Sequence, residues 1–402
     1  MSIINSGGYY FASSHHGPGG TPLLEWVEGE PRIYHDRDWS DHTYYYLEIK
    51  DGEALGHHQL RTILDSQVLR DIRDANSDVY LVINNSHEAF LSVVDPIYRH
   101  VIMGHNIPEH KLIIMSGSFD LVQEIDRVAN KYKLQSCKAE LVMDFEGNAH
   151  YDYHVATEEE TWLQPNTLHH GPYEKKFLNF NRRWRLHRPT FVMLLKHYGI
   201  LDQGFVSLAP SDCGNSWNHE LWMTIMNMHQ RFPDITYIAH QLKEELMEMP
   251  DLYLDTPDLV YNHAPIDANA EHNRLYEQSY FSLVSETHYY MSHKGYEPTR
   301  FLSEKAWKPI LFKHPFIMIS TPNILSCLKQ IGYKTFDGII DESYDSILDD
   351  GQRMLAIVEE TKRLASFTDE QRNEFIDQCK EICEYNFNVL TSKSQFTHRL
   401  NF

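Results

Sequence analysis

The 402-residue chain has no run approaching the roughly 18 apolar residues that a membrane-spanning helix needs. Its start, MSIINSGGYYFASSHHGPGG, has neither the basic residues nor the apolar core of a secretory signal. A soluble, cytoplasmic protein is therefore expected. Cysteine is scarce: there are five, with no CxxC pair. Cys379 and Cys383 lie four apart on one face of a predicted helix, where they read as small buried side chains rather than as a disulfide framework. Positive charge is also short, with 36 Lys and Arg against 57 Asp and Glu, a net of −21. The mean field of such a chain repels nucleic acid and anionic membrane, although a local basic patch can still hold a phosphate. Neither repeats nor low-complexity tracts occur. No DxD-type acidic pair follows a strand. Asp255 and Asp258 are spaced for a turn, and the doublet His169-His170 lacks partner ligands, so no metal site is expected.

Hydrophobic residues make up 42% and aromatic residues 12%, enough for sizeable cores, and the length favours two domains. Residues 78–85 (DVYLVINN) and 111–116 (KLIIMS) read as buried strands. Residues 60–73 and 119–132 carry apolar residues at helical spacing. The polar stretch 155–175 reads as a linker. A strand at 176–180 restarts the pattern, followed by a turn NRRWRLHRP and a helix over 190–199. Strands are predicted at 234–239, 279–285 and 315–320. Helices are predicted at 304–313, 322–331, 346–364 and 369–385. Two successive α/β halves outline a GT-B-like fold, two Rossmann-like domains facing a cleft. The predicted divisions are an α/β domain over 1–165, a second α/β domain over 166–365, and 366–402 as a helical segment packing back.

Two places carry chemistry. The turn at 181–189 holds Arg182, Arg183, Arg185 and Arg188 ahead of a helix start. Arginine and a helix N-terminus together suit a pyrophosphate, the alternative being that the arginines pair with surface carboxylates. Asn181 at the strand end and Arg188 at the helix start are the predicted ligand contacts. The second place is the segment from Tyr280 to Thr321. A strand delivers Glu286, and Ser303-Glu304-Lys305 then opens a helix with Ser303 as N-cap. Glu304 could accept from ribose hydroxyls, and Lys305 could neutralise a diphosphate leaving group without a metal. An ordinary capped surface helix explains the same residues equally well.

The spacing of Ser-Glu-Thr, Phe-x-Ser-Glu-Lys, a helix and His-Pro-Phe-Ile resembles the donor-binding signature of the α1,3-fucosyltransferase family. That signature runs Phe-x-Glu-Asn-Ser, a loop, Tyr-x-Thr-Glu-Lys, a helix and an apolar strand. Glu286 matches the first Glu, Phe301 the Tyr, Ser303 the Thr, Glu304 the second Glu and Lys305 the Lys. Arg188 falls where the family keeps a phosphate-binding Arg. The resemblance covers roughly residues 176–345, and phrases such as FLSEK and HPFI are similar to glycosyltransferase-like proteins of phages and marine bacteria. Thr287-His288 replaces Asn-Ser and the loop is longer, which leaves UDP- and GDP-linked donors both open. The resemblance implies transfer of a sugar from a nucleotide sugar to an acceptor hydroxyl, a glycan before a nucleic acid, with inversion. The general base is then sought in the first half, Glu88 first and His16 second. Transfer to a hydroxymethylated DNA base and non-catalytic binding of a nucleotide or glycan are the alternatives.

Overall fold

Alternation along short apolar strands sets the first sheet. Leu81 and Ile83 point to one side of their strand and Val82 to the other, and Ile113 and Ile114 divide likewise. The computed structural model describes residues 9–16, 22–25, 43–49, 66–86, 89, 91–158, 164–181, 185–208, 233–248, 252, 254, 270–290, 299–393 and 397–399. The chain is α/β and divides into two units. One comprises Met1–Gly147, Ser292–Phe301 and Ser394–Phe402; the other comprises Asn148–Met291 and Leu302–Lys393.

The first unit holds β1 (Tyr9–His16), β2 (Pro22–Glu25), β3 (Thr43–Ile49), α1 (Ser66–Arg73), β4 (Val79–Asn85), β5 (Leu112–Ser116), α2 (Leu121–Tyr132) and β6 (Lys138–Val142). The strands β1, β3, β4, β5 and β6 are parallel neighbours in that order. Antiparallel β2 borders β1, and antiparallel Thr397–Arg399 borders β6. Leu81, Ile83, Leu112 and Ile114 pack with Ile72, Leu121, Ile125 and Val128 from the helices, and Val82, Ile113, Met115 and Val142 cluster separately. Each such side chain contributes about 1.5–3 kcal/mol through burial. α3 (Asp144–Glu158) follows β6 and takes in residues 155–158, which the sequence reading gave to a linker. The core-facing positions of this helix include Gly147, Ala149 and Ala156. No large apolar stripe announces it.

The second unit holds β7 (Phe177–Asn179), α4 (His187–His197), β8 (Gly204–Val206), α5 (Pro233–Gln241), α6 (Lys243–Glu248), α7 (Ala270–Glu277), β9 (Phe281–Ser285), α8 (Glu304–Leu311), β10 (Phe316–Ile319), α9 (Ile324–Gln330), α10 (Asp350–Ala365) and α11 (Asp369–Ser392). Its sheet is wholly parallel, in the order β10-β9-β7-β8. All residues of β9 and β10 are buried, as expected of a parallel sheet covered on both faces. The strand expected at 234–239 is instead the helix α5. Its residues Ile235, Ile238 and Ala239, and Leu242 just after it, are buried at helical spacing, and Tyr237 between them is 65% exposed. Pro233 occupies the first helical position, where its missing N–H costs nothing. α11 opens with a capping box between Thr368 and Gln371. Cys379 and Cys383 are buried free thiols, as the spacing suggested. No helix among the described residues is long and apolar enough to cross a membrane.

His314 joins two elements of this core. Its Nε2 lies 2.8 Å from the Ser279 carbonyl and its Nδ1 lies 2.7 Å from Ser282 Oγ. The carbonyl can only accept, so Nε2 carries the proton and Nδ1 receives the hydroxyl. Burial lowers its pKa to about 4, opposed by the bond to Ser279. A base whose folded pKa lies below its unfolded value contributes stability that is full above the unfolded pKa and is lost as pH falls towards the folded one. Between pH 6.5 and 4 this residue is expected to remove roughly 3 kcal/mol of unfolding free energy. Urea denaturation across that interval, with His314→Gln flattening the slope, checks the prediction.

Candidate functional site

In an open parallel sheet, ligands bind outside the carboxyl ends of the strands where the strand order reverses. The parallel run of the first sheet proceeds in one direction, from β1 through β6, without reversal. In the second, β8 lies on one side of β7, whereas β9 and then β10 lie on the other. The reversal falls between β7 and β9. The residues following these two strands are Phe180-Asn181 and Glu286-Thr287, so topology brings together two positions that sequence reading chose separately.

Glu286 is fully buried and continues the ladder, donating its N–H to Ile319 O at 3.0 Å. Three donors meet its carboxylate: Ser303 N at 3.1 Å, Ser303 Oγ at 2.6 Å and Thr287 N at 3.0 Å. Burial raises its pKa, while the charge of Lys305 and the Ser303 bond pull the other way. The effect is to fasten the N-cap of α8 to the end of β9. Ser303 has extended backbone, and its Oγ receives the N–H of Lys305. Lys305 Nζ lies 3.1 Å from Ser303 Oγ and 2.5 Å from Glu304 Oε1. Glu304 feels a desolvation cost, but Lys305 and Lys308 outweigh it and hold its pKa at about 2. Its side chain is 36% exposed, so solvent screens this pair.

The turn after β7 reaches the same strand end from the other side. His187 and Arg188 are the first residues of α4 and are 1% and 2% exposed. His187 Nε2 lies 2.9 Å from Glu286 O, so it is protonated there, and the ring stacks on Tyr289 with centroids 5.2 Å apart. Burial lowers the His187 pKa far below its usual value, with Arg188 adding to the effect, and the ring is neutral. Arg188 Nη2 donates to Ser285 O at 3.3 Å and Glu286 O at 3.2 Å. Asn181 is 1% exposed and bonds to Asn179 and Ser207 at the ends of β7 and β8.

Asn181, Arg188, Glu286, Ser303, Glu304 and Lys305 thus all lie in the second unit, around the carboxyl ends of its central strands. Phe301 lies in the first. Its ring approaches Gly117 so closely that a Cβ there would sit 2.6 Å from Phe301 and 2.7 Å from Ser86 O. The neighbouring Arg300 donates its backbone N–H and its guanidinium to Asp120, and Phe119 N bonds to Arg300 O. His16 is the last residue of β1, opposite Pro22. Glu88, Arg182, Arg183 and Asp255 lie outside the described residues. His169 is engaged within the fold, with Nδ1 accepting from Gly171 N and Nε2 facing Glu277 O. Among the described residues no group of three His, Cys, Asp or Glu is placed to hold a metal ion.

No protein-family model matches the chain, and no curated protein matches it. Among solved structures, the fold is similar to a UDP-forming α,α-trehalose-phosphate synthase from Burkholderia xenovorans in complex with glucose-6-phosphate. That likeness has 10% identity and a TM-score of 0.40, over 88% of this chain and 73% of that one. It is also similar to the corresponding synthase from Burkholderia vietnamiensis, at 9% identity and a TM-score of 0.34, over 84% of this chain and 72% of that one. At these values the function rests on the residues themselves.

Two further residues complete the rim. His187 went unmarked in the sequence because a single histidine between leucine and arginine carries no pattern. Arg353 on α10 is 1% exposed and donates to Ser320 O, Ile347 O, Tyr289 O and Asp350 Oδ1. It also lies 4.5 Å from the centre of the Tyr289 ring. One guanidinium therefore ties the end of β10 to the segment after β9. Replacing it with Met leaves Asp350 buried without its counter-charge and strips several carbonyls of their donor. Arg353→Met should cost about 3–5 kcal/mol in urea unfolding, and a loss below about 1 kcal/mol would show that water replaces the guanidinium.

Proposed function

We propose that the chain is a GT-B-like glycosyltransferase that moves a sugar from a UDP- or GDP-linked donor to an acceptor hydroxyl, a glycan before any other acceptor. The observation that carries this reading is the helix start Ser303-Glu304-Lys305, which Glu286 fixes beside the strand-order reversal. The positive end of α8 and the Lys305 ammonium meet the diphosphate. Glu304 is ionised at every physiological pH and accepts from the ribose hydroxyls. Asn181, Arg188, Glu286 and Ser303 form the frame, with Arg188 adding fixed positive charge from beneath the strand ends. Phe301 anchors the chain just ahead of this helix start.

In the transfer the acceptor hydroxyl gives its proton to a general base and its oxygen attacks the anomeric carbon. The bond from that carbon to the diphosphate oxygen breaks, and the nucleoside diphosphate leaves with the electron pair. Lys305 stabilises the charge that develops there. Glu88 and His16 are the proposed bases, and attack from the face opposite the leaving group inverts the anomeric centre. Catalysis without a metal rests on these fixed cations.

The reading is tested by titrating UDP, GDP and inorganic pyrophosphate. Lys305→Ala should weaken all three by about tenfold or more, since a charge-assisted contact is lost. Glu304→Gln should weaken UDP or GDP but leave pyrophosphate equal or tighter, because the ribose contact goes and a nearby negative charge with it. If the wild type binds neither nucleotide below millimolar, or if Lys305→Ala binds all three ligands as well as it does, the assignment fails.

A further inference from the structure

The amide of Asn181 has an orientation that its neighbours dictate. Asn179 Nδ2 donates to the Leu283 carbonyl at 2.7 Å and to Ser285 Oγ at 3.1 Å. A carbonyl accepts only, so Asn179 must turn its nitrogen there and its Oδ1 towards Asn181. Asn181 Nδ2 donates to that Oδ1 and to the Ser207 carbonyl at 3.1 Å. Turning the Asn181 amide over would set its oxygen against two acceptors. Turning both amides over would set Asn179 Oδ1 against Leu283 O. Backbone carbonyls at each end of the chain of bonds therefore fix the polarity of both side chains.

What is left over is Asn181 Oδ1. It is buried and receives no hydrogen bond from the described residues. A buried acceptor without a donor costs free energy, and such atoms are uncommon in native structures unless a ligand or a water completes them. The atom sits two residues beyond the end of β7, at the strand-order reversal. A nucleotide sugar carries O–H donors that suit such an acceptor on both its ribose and its transferred sugar.

We propose that Asn181 Oδ1 is the hydroxyl-reading acceptor of the donor site: the nucleotide sugar presents an O–H of its ribose or of its transferred sugar to this atom. The inference rests on the nucleotide-sugar reading above and adds the polarity and the class of the contact. Asn181 would then decide specificity. A site built to receive a hydroxyl rejects the analogue that lacks it, since the acceptor is left bare.

The experiment compares matched ligand pairs on the full chain. UDP and GDP are set against their 2′-deoxy and 3′-deoxy forms, which addresses the ribose. UDP-glucose and GDP-mannose are set against their deoxy-sugar forms, which addresses the transferred sugar. The wild type should prefer one hydroxylated member over its deoxy partner by about 10–100-fold, and Asn181→Ala should bring that ratio close to one. Ser207→Ala, which removes only the Ser207 Oγ bond to the Asn181 N–H, should keep the ratio. If Asn181→Ala does not fold, Asn181→Ser, which also lacks Oδ1, takes its place and should likewise bring the ratio close to one. A folded Asn181→Ala or Asn181→Ser that discriminates like the wild type, or a wild type indifferent to every hydroxyl, overturns the proposal. In those cases Lys305→Ala still weakens UDP or GDP, and the nucleotide-sugar reading stands. If UDP and GDP fail to bind the wild type at all, that reading falls and takes this inference with it.

Discussion

One buried carboxylate organises the second unit. Glu286 stands where β9 ends, and its side chain receives the N-cap of α8 while its carbonyl receives His187 and Arg188 from α4. Two helices that begin more than a hundred residues apart are thereby referred to a single point. A fully buried carboxylate is costly to ionise, and the raised pKa records that cost. The cost is met by hydrogen bonds that all come from donors, a geometry only the acceptor-rich carboxylate can satisfy. The position of Lys305 is set by this junction rather than by the lysine side chain.

The junction also explains a division of labour among the cations. Arg188 and Arg353 are sunk into carbonyls at the ends of β9 and β10, while Lys305 keeps partial exposure beside Glu304. A guanidinium with its planar array of donors suits gathering several carbonyls at once. A lysine on a flexible stem suits meeting a partner that arrives and leaves. Three of the cations in a chain of net −21 thus stand around the carboxyl ends of the second sheet's strands.

Much of this was legible in the sequence because it is local. Strands such as LIIMS, the capped start Ser303-Glu304-Lys305 and the amphipathic α2 each announce themselves within a dozen residues. The choice of Asn181, Arg188 and Glu286 depended on reading strand ends, and the sheet brings those ends together. What stayed hidden is either non-local or unpatterned. Nothing near Arg353 tells that it will tie Ser320 to Tyr289, because those partners lie 33 and 64 positions away. α3 buries small residues and lacks an apolar stripe. α5 carries β-branched residues that suggest a strand, until the burial of Ile235, Ile238 and Leu242 shows the helical period. Phe301 matches a motif beside Ser303 yet packs against Gly117, 184 positions away in sequence, a contact that the motif does not announce.

The sheet borders carry a consequence for behaviour at high concentration. The first sheet is bordered by strands of four and three residues, Pro22–Glu25 and Thr397–Arg399. The second is bordered by Phe316–Ile319 and Gly204–Val206, again four and three. A short border offers few unpaired N–H and C=O groups to another molecule. The long apolar strands, which would template aggregation if left at an edge, are flanked on both sides. Among the described residues each sheet thus ends on borders of three or four residues, an edge that gives another chain little to pair with.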